Sequence, residues 1–284
     1  MKKTLNAIFL IVSIITIFTA CNKTSLNNDD SLERFYDISS EYINNNSSLF
    51  SDNEDPPGRV RKWRTFLKVA GEDLKGAGSG AGVGGPGGAL VGAGIGGAIT
   101  GAGASMAAYA DLKDKADKQS FDFSPILNVN NPYDNIGEIH YLIVNNLIDN
   151  ISGLGDNFEN FDNEQYYSQT INLLFDNEIW TLEELNIFEY NTYVLNFSNI
   201  KTSYQNNELA SNYVKKINGL KPEVQNVLNI YISAFESSSS TLDFVDFSIN
   251  AENLILSSTE LDSLDKMQVL SVMSTARIGI QYWC

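Results

Sequence analysis

The stretch "GAGSGAGVGGPGGALVGAGIGGAITGAGAS", residues 76–105, decides how this chain is read. It carries fourteen glycines in thirty residues and no charge. Gly76, Gly80, Gly84, Gly88, Gly92 and Gly96 recur at every fourth position, and Thr100, Ala104 and Ala108 continue the row with small side chains. A second small row runs through Gly85, Ala89, Ala93, Gly97, Gly101 and Ser105. Residues four apart share a helical face, so each row is a face on which a second backbone can approach closely. A flexible linker has no reason to keep that register. The opposing term is propensity: each glycine costs about 1 kcal/mol relative to alanine, on the order of 14 kcal/mol for the segment. Such helices need a close helical neighbour, or a membrane in which unpaired backbone groups are costlier still.

Pro86 divides the segment, because it removes a helical hydrogen bond and restricts Gly85. Residues 87–110 are an uncharged arm that would reach about 36 Å as a helix, enough to cross a bilayer core. The arm before Pro86 is too short to cross alone. The expectation is a bent or hairpin pair whose longer arm inserts into membrane; the alternative is a zipper hairpin packed inside the fold. The preceding "GRVRKWRTFLK" carries Arg59, Arg61, Lys62, Arg64 and Lys68 without an acid, interleaved with Trp63, Phe66 and Leu67. Cations and aromatics beside such a segment suit an anionic membrane surface; a solvated helix start pairing with the acidic domain is the competing reading.

The chain opens "MKKTLNAIFLIVSIITIFTAC". Lys2 and Lys3 precede an apolar run from Leu5 to Phe18, then Thr19, Ala20 and Cys21. This is the pattern of a secretory signal, residues 1–20. "FTAC" resembles the lipobox of bacterial lipoproteins, with Phe18 where leucine is commoner. The resemblance implies that Cys21 carries lipid and that the chain is exported and anchored in the cell envelope, with the outer membrane the expected site. Cys21 and Cys284 are the only cysteines, so no disulfide framework is expected. With His140 the single histidine, no zinc site is expected either.

Removing Lys2 and Lys3 takes the formal charge from −16 to −18. That surface argues against nucleic acid, whose phosphates require Lys and Arg, and promotes solubility by self-repulsion. Residues 21–57 read as a polar tether, with one short helix over 31–43. Residues 58–118 are the basic flank and the zipper. Residues 119–284 have globular composition and read as an acidic helical bundle. Thr181 and Glu184 form a capping box ahead of Leu182, Leu185, Phe188 and Leu195. Pro222 suits a first helical position before Val224, Val227, Leu228, Tyr231 and Phe235. Thr259 and Asp262 signal a cap ahead of Leu261, Leu264, Met267, Leu270, Met273 and Ala276. Further helices are expected over 134–150 and 163–177. No segment alternates with period two, so the fold class is all-α.

The run "DLKGAGSGAGVGGPGGALVGAGIGGAITGAGAS", with "RKWRTFLK" ahead of it, resembles the glycine-zipper segment of class II bacteriocins. That resemblance covers roughly residues 60 to 110 and implies a segment that folds in membranes and permeabilises them. No double-glycine leader precedes it here, and it sits inside a much longer chain. A second resemblance, to glycine-zipper lipoproteins of the outer membrane, adds the lipobox; those proteins usually lack a long acidic helical domain. Both make the lipid bilayer the expected partner, with self-association through the zipper as the alternative.

"GVGGPG" (82–87) and "GAGIGG" (92–97) match G-x-G-x-x-G, but a dinucleotide site needs a preceding strand and a βαβ unit. His140 lies beside the stripe Ile136, Ile139, Ile143 and Leu147 and reads as a histidine at the edge of the core. Glu183 and Glu184 carry no catalytic information without geometry. No catalytic constellation, cofactor or metal is expected. The leading function is a membrane-interacting, bacteriocin-like envelope lipoprotein; the alternative is a non-enzymatic structural or assembly lipoprotein.

Overall fold

The computed structural model describes residues 30–47, 58–83, 94–112, 124–179 and 190–284. Ten α-helices are found among them, and no strand: α1 Ser31–Ser47, α2 Gly58–Val83, α3 Gly97–Leu112, α4 Asp134–Leu147, α5 Asn163–Asp176, α6 Tyr190–Gln205, α7 Ala210–Val214, α8 Pro222–Ser237, α9 Thr241–Ser257 and α10 Ser263–Trp283. The fold is all-α. A 3₁₀ turn, Ile148–Gly153, extends α4.

The centre of the fold is the pair α2 and α3. Its packing is set by the glycine register. A Cβ on Gly76 would sit 2.2 Å from the Gly101 nitrogen, and a Cβ on Gly80 would sit 2.2 Å from the Gly97 Cα. Conversely, a Cβ on Gly97 would meet Ala77 O at 2.9 Å and one on Gly101 would meet Asp73 O at 2.7 Å. The first small row on α2 therefore meets the second small row on α3, backbone on backbone. Gly96 lies at the same crossing, its carbonyl carbon 3.0 Å from a Cβ on Gly80. Gly84, Gly88 and Gly92 lie outside the described residues, as does Pro86.

Other elements close around this pair. α10 packs along α2 and α4, α4 lies against α3, and α6 and α7 cover the far side of α2. Residues 69–81 of α2 and 97–110 of α3 are buried throughout. Side chains from outside the hairpin also serve its backbone. Tyr166 donates its hydroxyl to Ile99 O (2.7 Å), and Gln268 donates to Ala81 O (2.7 Å) near the end of α2, where helical carbonyls lack partners. Ser79 exchanges a hydrogen bond with Tyr213 (2.9 Å). The propensity cost of the glycines is met by tertiary burial, the usual source of helical stability in proteins.

The expected C-terminal helices are present. Pro222 opens α8, and Val224, Val227, Leu228, Tyr231 and Phe235 are all buried. α10 starts at a capping box formed by Asp262 and Asp265, so Asp262 is the cap and Thr259 lies outside the helix. The capping box at Thr181 and Glu184 falls outside the described residues. Within α6 the inward face is Tyr193, Phe197 and Ile200, while Leu195 is exposed. The short helix expected over 31–43 is present as α1, Ser31–Ser47. α1 docks on α8 and α9, with Leu32 and Phe35 buried and Tyr42 stacked on Phe247. Among the described residues, no helix is long and apolar enough to cross a membrane.

The register makes a sharp stability prediction. Gly76→Ala and Gly101→Ala force backbones apart and should each cost at least about 1–3 kcal/mol, as overpacked cores do. Gly71, where an added Cβ meets nothing within 4 Å, is the internal control. Gly71→Ala should stabilise by about 0.4–1 kcal/mol. Chemical denaturation of the three variants checks this ordering.

Candidate functional site

Three groups of polar side chains lie inside this helical fold. The first is centred on Asp73, which is completely buried in α2. His140 Nε2 of α4 lies 2.7 Å from Asp73 Oδ1, and Trp283 of α10 donates its indole N–H to Asp73 Oδ2 (2.9 Å). A Cβ on Gly279 would lie 2.9 Å from the same Oδ2, so glycine there admits the carboxylate. The node ties α2, α4 and α10 together. His140 is thus fully inside the core, not at its edge. Its Nδ1 is buried without a hydrogen-bond partner. Burial, and then the charge of Asp73, push the Cys284 thiol well up, which keeps it protonated and a poor nucleophile.

The second group joins α4, α9 and α10. Arg277 is fully buried and donates to Glu252 Oε1 (2.8 Å), to Asp134 and to Ile126 O. Asn128 and Asn131 donate to Glu252 Oε2 at 2.9 and 3.0 Å, and Ser248 donates to Oε1 at 3.0 Å. Buried charges require this degree of pairing. Every group on Glu252 and Arg277 that faces inward is engaged, so this network holds helices in register and has no open position for a reactant.

The third group borders open space. A cavity of about 640 Å³ lies between α2, α6, the loop after α6, and α8. Its walls are mainly apolar, and they bring together Arg64, Lys68, Glu72 and Lys75 of α2 with Tyr204 and Glu236. Glu72 and Lys75 are both about 2 % exposed and share a hydrogen bond of 2.8 Å. Burial pushes the Glu72 carboxyl up to about 7, against the pull of Lys75. Burial raises Glu236 as well, although Ser211 donates to it from both its amide and its hydroxyl. Glu208 also borders the cavity. Burial opposes its ionisation, but hydrogen bonding to Lys216 and Ser203 and the charges of Lys216 and Lys75 together outweigh that and hold its carboxyl below the usual range.

The basic flank takes an unexpected part in this site. Trp63 donates to Ser238 O (2.8 Å) at the end of α8. Lys68 donates to Asn207 Oδ1 (3.0 Å) and sits 4.5 Å from the centroid of the Tyr204 ring. Trp63, Arg64 and Lys68, expected at a membrane surface, are therefore arranged against the chain's own helices. Arg59, Arg61 and Lys62 belong to α2, but their side chains lie outside the described residues, as does Cys21. Among the described residues no group of three or more His, Cys, Asp and Glu side chains is placed to hold a metal. Sequence reasoning missed Asp73, Glu72, Lys75, Glu236 and Arg277. One signal was available: "GEDLKG" (71–76) puts three charges between two glycines at the mouth of a zipper. No family model, curated protein or solved structure matches the chain.

Glu72 sets a pH signature. A carboxyl raised from 4.5 to about 7 binds a proton in the folded state that the unfolded state has released. Folding is then weakened as pH rises from about 4.5 to about 7. Glu236, raised by burial, acts with the same sign above its ordinary value, whereas Glu208, lowered, acts with the opposite sign at more acidic pH, so the difference between variants is what counts. Glu72→Gln should flatten the loss of thermal stability between pH 5 and 7 relative to the parent chain. Identical pH slopes would show that Glu72 is not buried in this way.

Proposed function

We propose that this chain is an exported, lipid-anchored and non-enzymatic lipoprotein of the cell envelope. Its glycine zipper builds the interior of a helical domain held to the membrane through Cys21. The observation that carries the reading is the interlock of Gly76 and Gly80 with Gly97 and Gly101, which engages the described part of each small row in the chain's own packing. The signal-like first twenty residues and the lipobox-like "FTAC" support export and the anchor. The acidic composition supports a water-facing domain that nucleic acid does not approach.

A second reading draws on one observation. No charged residue falls between Lys75 and Asp111, so the zipper could move as a hairpin into an anionic bilayer, as the resemblance to class II bacteriocins implies. That move would strip Asp73 of His140 and Trp283, and it would take the apolar faces of α2 and α3 out of the core. The first reading asks for none of this.

Dye release separates the two. The full chain, reconstituted through its lipid anchor, should leave anionic vesicles sealed and should sediment as a monomer in mild detergent. Leakage that Gly92→Ile abolishes would establish the bacteriocin-like reading. Sealed vesicles with a stable oligomer would instead assign the zipper to assembly between copies.

A further inference from the structure

The cavity beside Lys75 is not used by the packing role proposed above. Lys75 is an ammonium with three N–H donors, and its one hydrogen bond goes to Glu72 Oε1. Two donors on a buried cation are therefore left without an acceptor in the described protein. Glu72 Oε2 is likewise buried with no partner. A buried ammonium and a buried carboxyl with vacant positions cost stability unless something fills them. Both groups line the same cavity, whose size lies within the range of small-molecule sites. The space continues along apolar walls past Leu67 and Gly71, and a Cβ built on Gly71 meets nothing within 4 Å.

Charge selects the head group. Arg64, Lys68 and Lys75 line this cavity together with Glu72, Glu208 and Glu236; burial favours the neutral form of Glu72 and Glu236, which leaves the cations in excess. Glu208, the acid that stays ionised most readily, is already engaged by Lys216 outside the cavity. We propose that the cavity binds a small monocarboxylate with an apolar body, its carboxylate accepting hydrogen bonds from Lys75 and its body filling the space beside Gly71.

Binding completes the vacant positions in one step. The incoming carboxylate accepts from the spare donors of Lys75, and Glu72 takes up one proton and donates it from Oε2 to the same carboxylate. The proton comes from solvent and forms one O–H bond, on Glu72 Oε2; every other contact made is a hydrogen bond, and the net charge of the site is unchanged because the proton offsets the incoming carboxylate. Glu72 is faced by Lys75, Lys68 and Asp73 of its own helix, Tyr204 of α6, Glu208 of the following loop, Tyr213 of α7 and Glu236 of α8. Of these, Lys75 and Lys68 oppose proton uptake, while Asp73, Glu208 and Glu236 favour it. Affinity should therefore fall as pH rises above neutrality.

The test is calorimetric titration of the full chain in non-ionic detergent with octanoate, with acetate as the control lacking an apolar body. Variants in the same detergent cancel partition of octanoate into micelles. Saturable octanoate binding is expected at pH 6.5, about tenfold weaker at pH 8.5, with acetate inert. Gly71→Leu fills the cavity from its wall without touching the ion pair and should abolish binding while melting no lower than the parent. Lys75→Met should weaken binding at least about tenfold. Glu72→Gln supplies a permanent N–H donor and should bind equally well at both pH values. Should Lys75→Met fail to fold, Gly71→Leu decides the matter alone. Octanoate binding that survives Gly71→Leu, acetate binding of equal strength, or no saturable heat would each overturn the proposal.

Discussion

The contact between the backbones of α2 and α3 is the constraint from which the rest of the fold follows. Where a Cβ on Gly76 would lie 2.2 Å from the Gly101 nitrogen, no side chain separates the helices, and their spacing is set by main chain alone. Close approach multiplies dispersion contacts and brings Cα hydrogens towards facing carbonyls, each a small gain that recurs along the crossing. Two thin helices in contact also leave little surface of their own. The larger side chains of the core come from around them: Tyr166 and Tyr193 over Gly103, Ile136 over Gly94, and Ile217 and Val214 over Gly78. The glycines thus act as sockets for residues that other helices supply.

That arrangement explains why charge is found so deep. A narrow hairpin cannot fill the centre of a domain of this size with its own side chains, and α2 places Glu72, Asp73 and Lys75 in the turn where the crossing begins. Asp73 points to α4 and α10, where His140 and Trp283 satisfy both of its oxygens. Glu72 and Lys75 point the other way, towards the cavity, where each satisfies the other only in part. One turn of helix therefore divides the polar interior into a closed structural node and an open one, and the open one is where chemistry with a ligand has room.

Much of the fold could be read from the residues. The four-residue glycine spacing announced a close helix pair, and the stripe from Val224 to Phe235 marked α8 as it stands. The partner surface of that pair was not legible. Spacing shows that two backbones can meet, yet says nothing of whether lipid or protein surrounds them, because both are met by the same small row. α9 went unrecognised because "SSSST" (237–241) reads as loop, although Ser240 with Asp243 is a cap in the structure. Trp63 and Lys68 read as membrane-facing cations and aromatics. Their hydrogen-bond partners in the fold, Ser238 and Asn207, lie 175 and 139 residues away in the chain, a separation no local pattern reports. The Asp73–His140–Trp283 node was hidden for the same reason.

The described zipper helices lie inside the protein. Hydrogen exchange followed by mass spectrometry on the full chain measures this directly, because glycine-rich helices exchange rapidly unless tertiary packing holds them closed. The expected result is that residues 69–81 and 97–110 are among the most slowly exchanging of the chain, as slow as α10, with or without anionic vesicles. Rapid exchange of both segments in the absence of vesicles, alongside a protected α8 and α10, would contradict it and show a helical domain that stands without its zipper.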